Sequence, residues 1–438
     1  MNAKIAAEQI FLAGIESVLP DQLIRKQVFI KGNTLFISSH QFPLESINRI
    51  FVIGAGKASA LMAKEIESIL GDRITEGHIV VKYRHAYELK FITVSEAGHP
   101  TPDNNGYFAT QKILNIVKKA EEKDLIICLI SGGGSALLAD FPEGSTLNDI
   151  IVTNDLLTKS GADIKEINTV RKHLSNVKGG QLAKASHPAR LVSLILSDVI
   201  GDPIDVIASG PTAPDPTTFG DAMRVLKKYD LLSRIPQQVL SHLQKGVDKL
   251  FLETPKPGDS IFKNTKNIII GSNKIALEAA SQKAKTMGLN PIIATSGLEG
   301  DTIKIAEQLI DTAFKFQNDD AVKKPCCLLF GGETTIKVNG SGTGGRNQHL
   351  ALYSALLLKN KKGITLLSAG TDGSDGPTSV AGAVVDSKTD EHAKSIGIGI
   401  RKYLTDFDSF HFFEKAGGHI ITGPTMTNVM DLIVVIIE

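Results

Sequence analysis

Lys57 follows a glycine-x-glycine turn, "GAGKAS", that joins a short apolar run to a helix-period segment within Phe51 to Leu70. Backbone N–H groups at a helix start, with a fixed cation beside them, make a site for an anion, so Gly54, Gly56 and Lys57 are candidate phosphate- or carboxylate-binding residues. The turn is not a dinucleotide fingerprint. That motif needs a third glycine three places after Gly56, where Ser59 stands, and an acid at the end of the next strand to hold a ribose. The next apolar run, "HIVVKYRH", ends in basic residues. The P-loop spacing GxxxxGK[ST] is absent as well.

A second glycine-rich turn, "LISGGGSALL", offers the backbone N–H groups of Gly132, Gly133 and Gly134 and the hydroxyls of Ser131 and Ser135 to an anionic oxygen. In "GGRNQHLAL", Arg346 and Asn347 open an apolar-periodic helix, and an arginine there can clamp phosphate or carboxylate with its rigid fork. Arg171 and Lys172, on the expected helix of "NTVRKHLSNVKGG", are secondary candidates for the same anion. Aspartates recur past strand ends: Asp198 and Asp202 in "LSDVIGDPIDV", Asp372 and Asp375 in "SAGTDGSDGPT". Such carboxylates can hold Mg²⁺ or take a proton from a substrate hydroxyl. The second pair resembles a calcium loop only superficially, because the bidentate glutamate is missing. Glu333 and Thr334 in "GGETT", with Asn273 in "GSN", are nucleotide-binding candidates. His99 in "EAGHPTPD" reads as loop shaping at least as much as ligand contact; His85 and His419 read as structural.

These residues sit at the ends of short apolar runs that alternate with helix-period segments along nearly the whole chain, which predicts parallel α/β sheets with ligands at the carboxyl edges of the strands. With 438 residues there is material for two or three domains. The pattern weakens between Ser233 and Lys266, which places the boundary there: residues 1–240, then 241–438, with the closing strand "MDLIVVIIE" free to join either sheet. A net charge of +1 offers no field for nucleic acid or an anionic membrane, so the expected partner is a small molecule. The three cysteines make no metal spacing or disulfide framework. No apolar run reaches membrane-spanning length and the N-terminus lacks a signal-peptide pattern, so the expected location is cytoplasmic. Oligomeric state is left open.

The strings "GAGKAS", "EAGHPTPD", "SGGGSALL", "INTVRKHLS", "LSDVIGDPIDVIASGPTAPDP", "GGETT", "GGRNQHLAL", "SAGTDGSDGPT" and "TGPTMTNVMDL", in this order from Ile50 to the C-terminus, resemble the glycerate 2-kinase family, whose C-terminal part is the MOFRL domain. The resemblance implies an N-terminal Rossmann-like parallel sheet flanked by helices and a C-terminal α/β domain with its MOFRL region at about 325–435. It further implies ATP-dependent, Mg²⁺-assisted phosphorylation of D-glycerate to 2-phosphoglycerate in a cleft between the domains, with Lys57 and Arg346 important to catalysis. Within that reading Asp198, and then Asp202, is the candidate to orient or deprotonate the acceptor hydroxyl, and Asp202, Asp372 and Asp375 are the Mg²⁺ candidates. The aspartate roles are exchangeable at this level. Ser379 stands where the family pattern has an acid, and Met426 where it has glycine. Two other functions stay open: an NAD(P)H-dependent hydroxypyruvate reductase, a name some family members carry, and a non-catalytic metabolite sensor.

Overall fold

The apolar runs that precede the "GAGK", "SGGGS" and "GTDG" turns become strands buried along their whole length. The computed structural model describes residues 2–438 and contains β1 (Val28–Lys31), β2 (Thr34–Ile37), β3 (His40–Pro43), β4 (Ile50–Ala55), β5 (Ile74–Lys82), β6 (Thr93–Ala97), β7 (Leu125–Ile130) and β8 (Arg190–Leu196). Then come β9 (Thr265–Gly271), β10 (Asn290–Asp301), β11 (Cys326–Thr335), β12 (Ile364–Gly370), β13 (Gly382–Asp386), β14 (His419–Ile420) and β15 (Asp431–Ile437). β1–β3 form a small antiparallel sheet.

The chain divides into two compact units, residues 23–197 with 202–270, and the first 22 residues with 198–201 and 271–438. The first holds a six-stranded sheet in the order β6-β5-β4-β7-β8-β9. The pairings from β6 to β8 are parallel. Counted among themselves these strands run 3-2-1-4-5-6, the Rossmann arrangement, whose strand order reverses between the first and fourth. Here that point lies between β4 and β7, so the turns carrying Lys57 and Gly132–Gly134 leave adjacent strands at one edge.

The second unit corrects the expectation of a parallel sheet. Its order is β10-β11-β15-β12-β13-β14, and only β10–β11 is parallel. β11 and β12 point the same way and are joined through the helix Arg346–Leu357, which leaves a gap between them. The closing strand fills that gap in the opposite direction, buried along its whole length. It therefore begins where β11 and β12 end: Asp431 stands opposite both Gly332 and Gly370.

The first unit runs on to residue 270. β9 still completes the first sheet, and the N-terminal helix Ala3–Ser17 belongs to the second unit, where it buries Ala6, Ala7, Ile10, Phe11, Gly14 and Ile15. An amphipathic helix goes where an apolar face needs cover, and Val18 is fixed there by the Thr427 hydroxyl, which donates to its carbonyl at 2.7 Å.

Asn273 holds the start of β15. Its side-chain amide donates to the carbonyls of Val429 (2.8 Å) and Asp431 (2.9 Å) in a buried setting. Both amide hydrogens of this nucleotide-binding candidate are thereby committed to the main chain. Asn273→Ala leaves two buried carbonyls without this donor and should lower stability by about 2–4 kcal/mol, read as a lower urea midpoint at unchanged far-ultraviolet circular dichroism.

Candidate active site

In the first unit the two glycine-rich turns are locked together. Lys57 N–H donates to the Gly132 carbonyl at 2.9 Å, and the Ala58 N–H donates to Ser131 Oγ at 3.0 Å. Gly56 (φ 143°) sits so close to this turn that a Cβ would lie 2.1 Å from Ser131 Oγ. Ser131 is buried, and its hydroxyl oxygen, accepting from the Ala58 N–H, fastens the two loops together. Gly54 is equally interior, its Cα facing the Leu129 carbonyl. The helix after the turn runs Ser59–Leu70 and has no side-chain cap. Among the described residues no carboxylate pairs with the Lys57 ammonium, which leaves a fixed cation beside a helix start and a glycine turn.

Gly133 (φ 87°) starts the short helix Gly134–Leu137. A Cβ there would lie 2.9 Å from the His99 ring and 3.5 Å from Lys57 Cγ. His99, read from the sequence as loop shaping at least as much as ligand contact, thus faces the Gly133 turn. Burial pushes its ring down to about 4, helped by the positive charges of Lys57 and Lys82 and by His85. Ser135 shares a hydrogen bond with Ser209 at 2.8 Å and, with Gly133 and His99, lines a cavity of about 550 Å³. Arg171 lines it too, its Nε donating to Asn154 Oδ1 at 2.8 Å. Lys172 does not. Adjacent residues on a helix face different ways, and Lys172 is buried between Asp205 (3.3 Å) and Asp215 (3.4 Å), a structural ion pair.

In the second unit Arg346 opens its helix as expected, but its fork is occupied. Nε donates to Asp431 Oδ2 at 2.6 Å and Nη2 to Oδ1 at 2.9 Å, while Nη1 lies 2.9 Å from Glu333 Oε1. Asp431 is the functional candidate the sequence reading missed. Its signal was an acid at the head of an otherwise apolar strand, but its meaning depended on the direction of that strand. Asn347 is buried as well, donating to Asp431 Oδ1 at 2.9 Å and accepting from Ser368 at 2.6 Å, so it orients the acid and is not exposed to substrate.

Asp375, a Mg²⁺ candidate by sequence, sits at the start of this helix. Helix Arg346–Leu357 has no cap of its own, and the buried Asp375 carboxylate accepts the orphan N–H groups of Asn347 (3.0 Å) and Gln348 (2.8 Å). Burial lifts its carboxyl to about 6 against the pull of those donors. Asp372 is half-buried and accepts from the Ser374 N–H and hydroxyl. Thr334 is buried against Thr302. Glu333 remains 46% exposed. Its partial burial raises its carboxyl above the usual range, Arg346 draws it down, and Asp431, Asp198 and Asp372 raise it further. Asp198 thus belongs to the electrostatic neighbourhood of this cluster. Asp202 lies with the first unit, half-buried at a φ of 54°. Among the described residues no group of three or more His, Cys, Asp or Glu side chains converges in a metal-holding arrangement.

Residues 6–244 match the family model of a domain of unknown function, DUF4147, and residues 326–431 match the MOFRL family. The chain is 40% identical to D-glycerate 2-kinase of Thermotoga maritima over 99% of its own length and 98% of that protein's. It is 39% identical to glycerate 2-kinase of Pyrococcus horikoshii, covering 97% and 94%. The crystal structure of the Thermotoga maritima glycerate kinase superposes with a TM-score of 0.89 at 39% identity, covering 100% of this chain and 99% of that one.

The position of His99 makes its titration a reporter of the anion turn. Its ring, ordinarily near 6.5, should stay neutral until about pH 4, followed by nuclear magnetic resonance. The unfolded chain takes up that proton near pH 6.5, so this residue's contribution to stability, present above that pH, is lost as the pH falls toward 4. Inorganic phosphate bound beside Lys57 should raise the value by offsetting the lysine charge. No movement at saturating phosphate would remove the anion from this turn.

Proposed function

The chain belongs to the glycerate 2-kinase family, and from that premise we propose that it transfers the terminal phosphoryl group of ATP to the 2-hydroxyl of D-glycerate, releasing 2-phosphoglycerate and ADP. The observation that carries this reading is the Lys57 ammonium, without a carboxylate partner among the described residues, at the strand-order reversal of a Rossmann-ordered sheet. Phosphoryl transfer needs chiefly positioning and charge stabilisation, and that lysine with the N–H groups around Gly133 supplies both to a phosphate. Asp198 accepts the proton of the glycerate hydroxyl as the oxygen attacks. Arg346 brings a second cation, held in orientation by Asp431, whose two oxygens fix the plane of the guanidinium.

The carboxylates of Glu333, Asp431 and Asp372 share one electrostatic neighbourhood with the Arg346 guanidinium and outnumber it. An excess of hard oxygen donors fits Mg²⁺, which keeps several waters and needs only one or two carboxylates; Asp372 and Glu333 would hold it, and when bound it would neutralise charge on the nucleotide phosphates. The reductase reading lacks its ribose acid, since β5, the strand beside β4, ends at Lys82. The sensor reading has no observation in its favour. The three cysteines are buried and unpaired, which suits a reducing compartment such as the cytoplasm, and among the described residues no helix is long and apolar enough to cross a membrane.

A coupled assay of ADP release with D-glycerate, ATP and Mg²⁺ tests the activity, and separation of 2- from 3-phosphoglycerate tests the acceptor oxygen. Well-folded protein that releases no ADP across a range of nucleoside triphosphates would refute the proposal. Lys57→Met and Arg346→Met should each lower kcat on the order of 10²-fold. If the two cations serve one transition state, the double variant should lose far less than the product of the single losses. Arg346→Lys should recover little, because an ammonium cannot make the paired contact to Asp431.

The two loop aspartates should separate cleanly. Asp372→Asn should raise the Mg²⁺ concentration for half-maximal rate, whereas Asp375→Asn should leave it unchanged and lower stability by about 1–3 kcal/mol through the orphaned helix N–H groups. The opposite pattern in metal titration and urea unfolding would exchange their roles.

A further inference from the structure

We infer that the cavity in the first unit is the nucleoside site, holding the base and ribose of the phosphoryl donor and presenting its phosphates to the Gly133 turn. This inference rests on the kinase reading and adds to it the place of the donor. At about 550 Å³ the cavity lies within the range of roughly 300–1,000 Å³ that larger organic ligands fill, and it far exceeds what a three-carbon acid occupies.

Its lining is graded. The helix Leu147–Lys159 turns one continuous face into it, with Leu147, Ile150 and Ile151 toward the helix start and Asn154, Asp155 and Thr158 toward its end. Those positions follow the three- and four-residue spacing of a single helix face. The apolar half suits a flat heteroaromatic base, and the polar half carries the acceptors and hydroxyl that a ribose needs. A small dihydroxy acid would leave the apolar half unfilled.

The neighbouring helix, Ile164–Lys172, supplies charge. Arg171 is fixed by Asn154 at 2.8 Å and has no carboxylate partner among the described residues, so its remaining donors are available to a phosphate. Lys178 is a different case: its ammonium is buried on the Leu138 carbonyl and Asp140, where it holds the wall. Gly133 belongs both to the cavity and to the immediate surroundings of Lys57. A nucleotide in the cavity can therefore set its phosphates at the Gly133 turn, beside a lysine that has no carboxylate partner among the described residues.

The test uses the full chain and a fluorescent probe, mant-ADP, titrated in the absence of glycerate, together with steady-state kinetics for both substrates. Ile151→Trp fills the apolar half and Arg171→Met removes the charged donor; neither side chain lies in a sheet core, and thermal unfolding checks the fold of each. Both variants should weaken mant-ADP binding and raise the KM for ATP on the order of tenfold or more, the worth of a charge-assisted hydrogen bond or of lost apolar contact. The KM for D-glycerate should stay within about twofold. Thr158→Ala, at the exposed end of the face, should have a smaller effect in the same direction. Unchanged mant-ADP affinity in folded Ile151→Trp and Arg171→Met, or a selective rise in the glycerate KM, would overturn the inference and give the cavity to the acceptor. Cavity-dependent mant-ADP binding by a chain that transfers no phosphoryl group would leave the site standing and refute the kinase reading instead.

Discussion

The carboxylate of Asp431 is the point on which the second unit is organised. It accepts both nitrogens of the Arg346 fork and the Asn347 amide, while its own carbonyl is held by Asn273. Three elements meet there: the strand inserted antiparallel between β11 and β12, the helix that crosses between those strands, and the helix that follows β9. A charge so deeply placed is tolerable only when its partners are present and oriented. The insertion of β15 supplies the acid, and the crossover helix supplies the cation. Asp375, capping that helix from the next loop, fixes the direction in which Arg346 leaves it.

The first unit solves a different problem by close approach. Its two turns leave neighbouring parallel strands and are packed tightly enough that a side chain at Gly56 would strike Ser131. What the packing preserves is a lysine whose charge no carboxylate among the described residues cancels. The depressed His99 ring has the same origin, since burial and surrounding cations both disfavour a further positive charge. A neutral imidazole there leaves the field of the turn to Lys57.

The paired turns of the first unit were legible in the sequence, and the Asp431 cluster only partly. Glycine-rich turns after apolar strands mark the edge where ligands bind, and the missing ribose acid showed at Lys82 without any coordinates. Side-chain allegiance was harder. Ser131, Asn347, Asp375, Asn273 and Lys172 all sit where ligand-binding residues sit, and all are turned inward to satisfy main-chain or charged partners. A polar residue at a strand end satisfies a buried neighbour or a substrate with the same letter, and spacing does not distinguish the two. Arg171 and Lys172 show the scale of the problem: one position along a helix separates a cavity wall from a buried ion pair. Asp431 was hidden by direction. In a parallel strand its place at the start of the run would have put it at the far edge of the sheet, and only the antiparallel insertion brings it beside Gly332 and Gly370.

That a Rossmann-ordered sheet carries no dinucleotide fingerprint shows which part of such a fold is general. Strand order alone creates a crevice at the reversal, with helix starts pointing into it, and any anion benefits. Which anion is decided by a few side chains at strand ends. An acid after the second strand would bind a ribose edge-on and align a dinucleotide along the sheet. Here that position is Lys82, one of the cations that, with burial, lower the His99 ring, so the same crevice carries positive charge where a ribose-binding acid would stand. The apolar surface a nucleoside needs is then supplied off the sheet, by the helix Leu147–Lys159 inserted between β7 and β8. Fold and ligand class are thus separable: the sheet fixes where charge is bound, and the insertion after its fourth strand fixes what else the ligand carries.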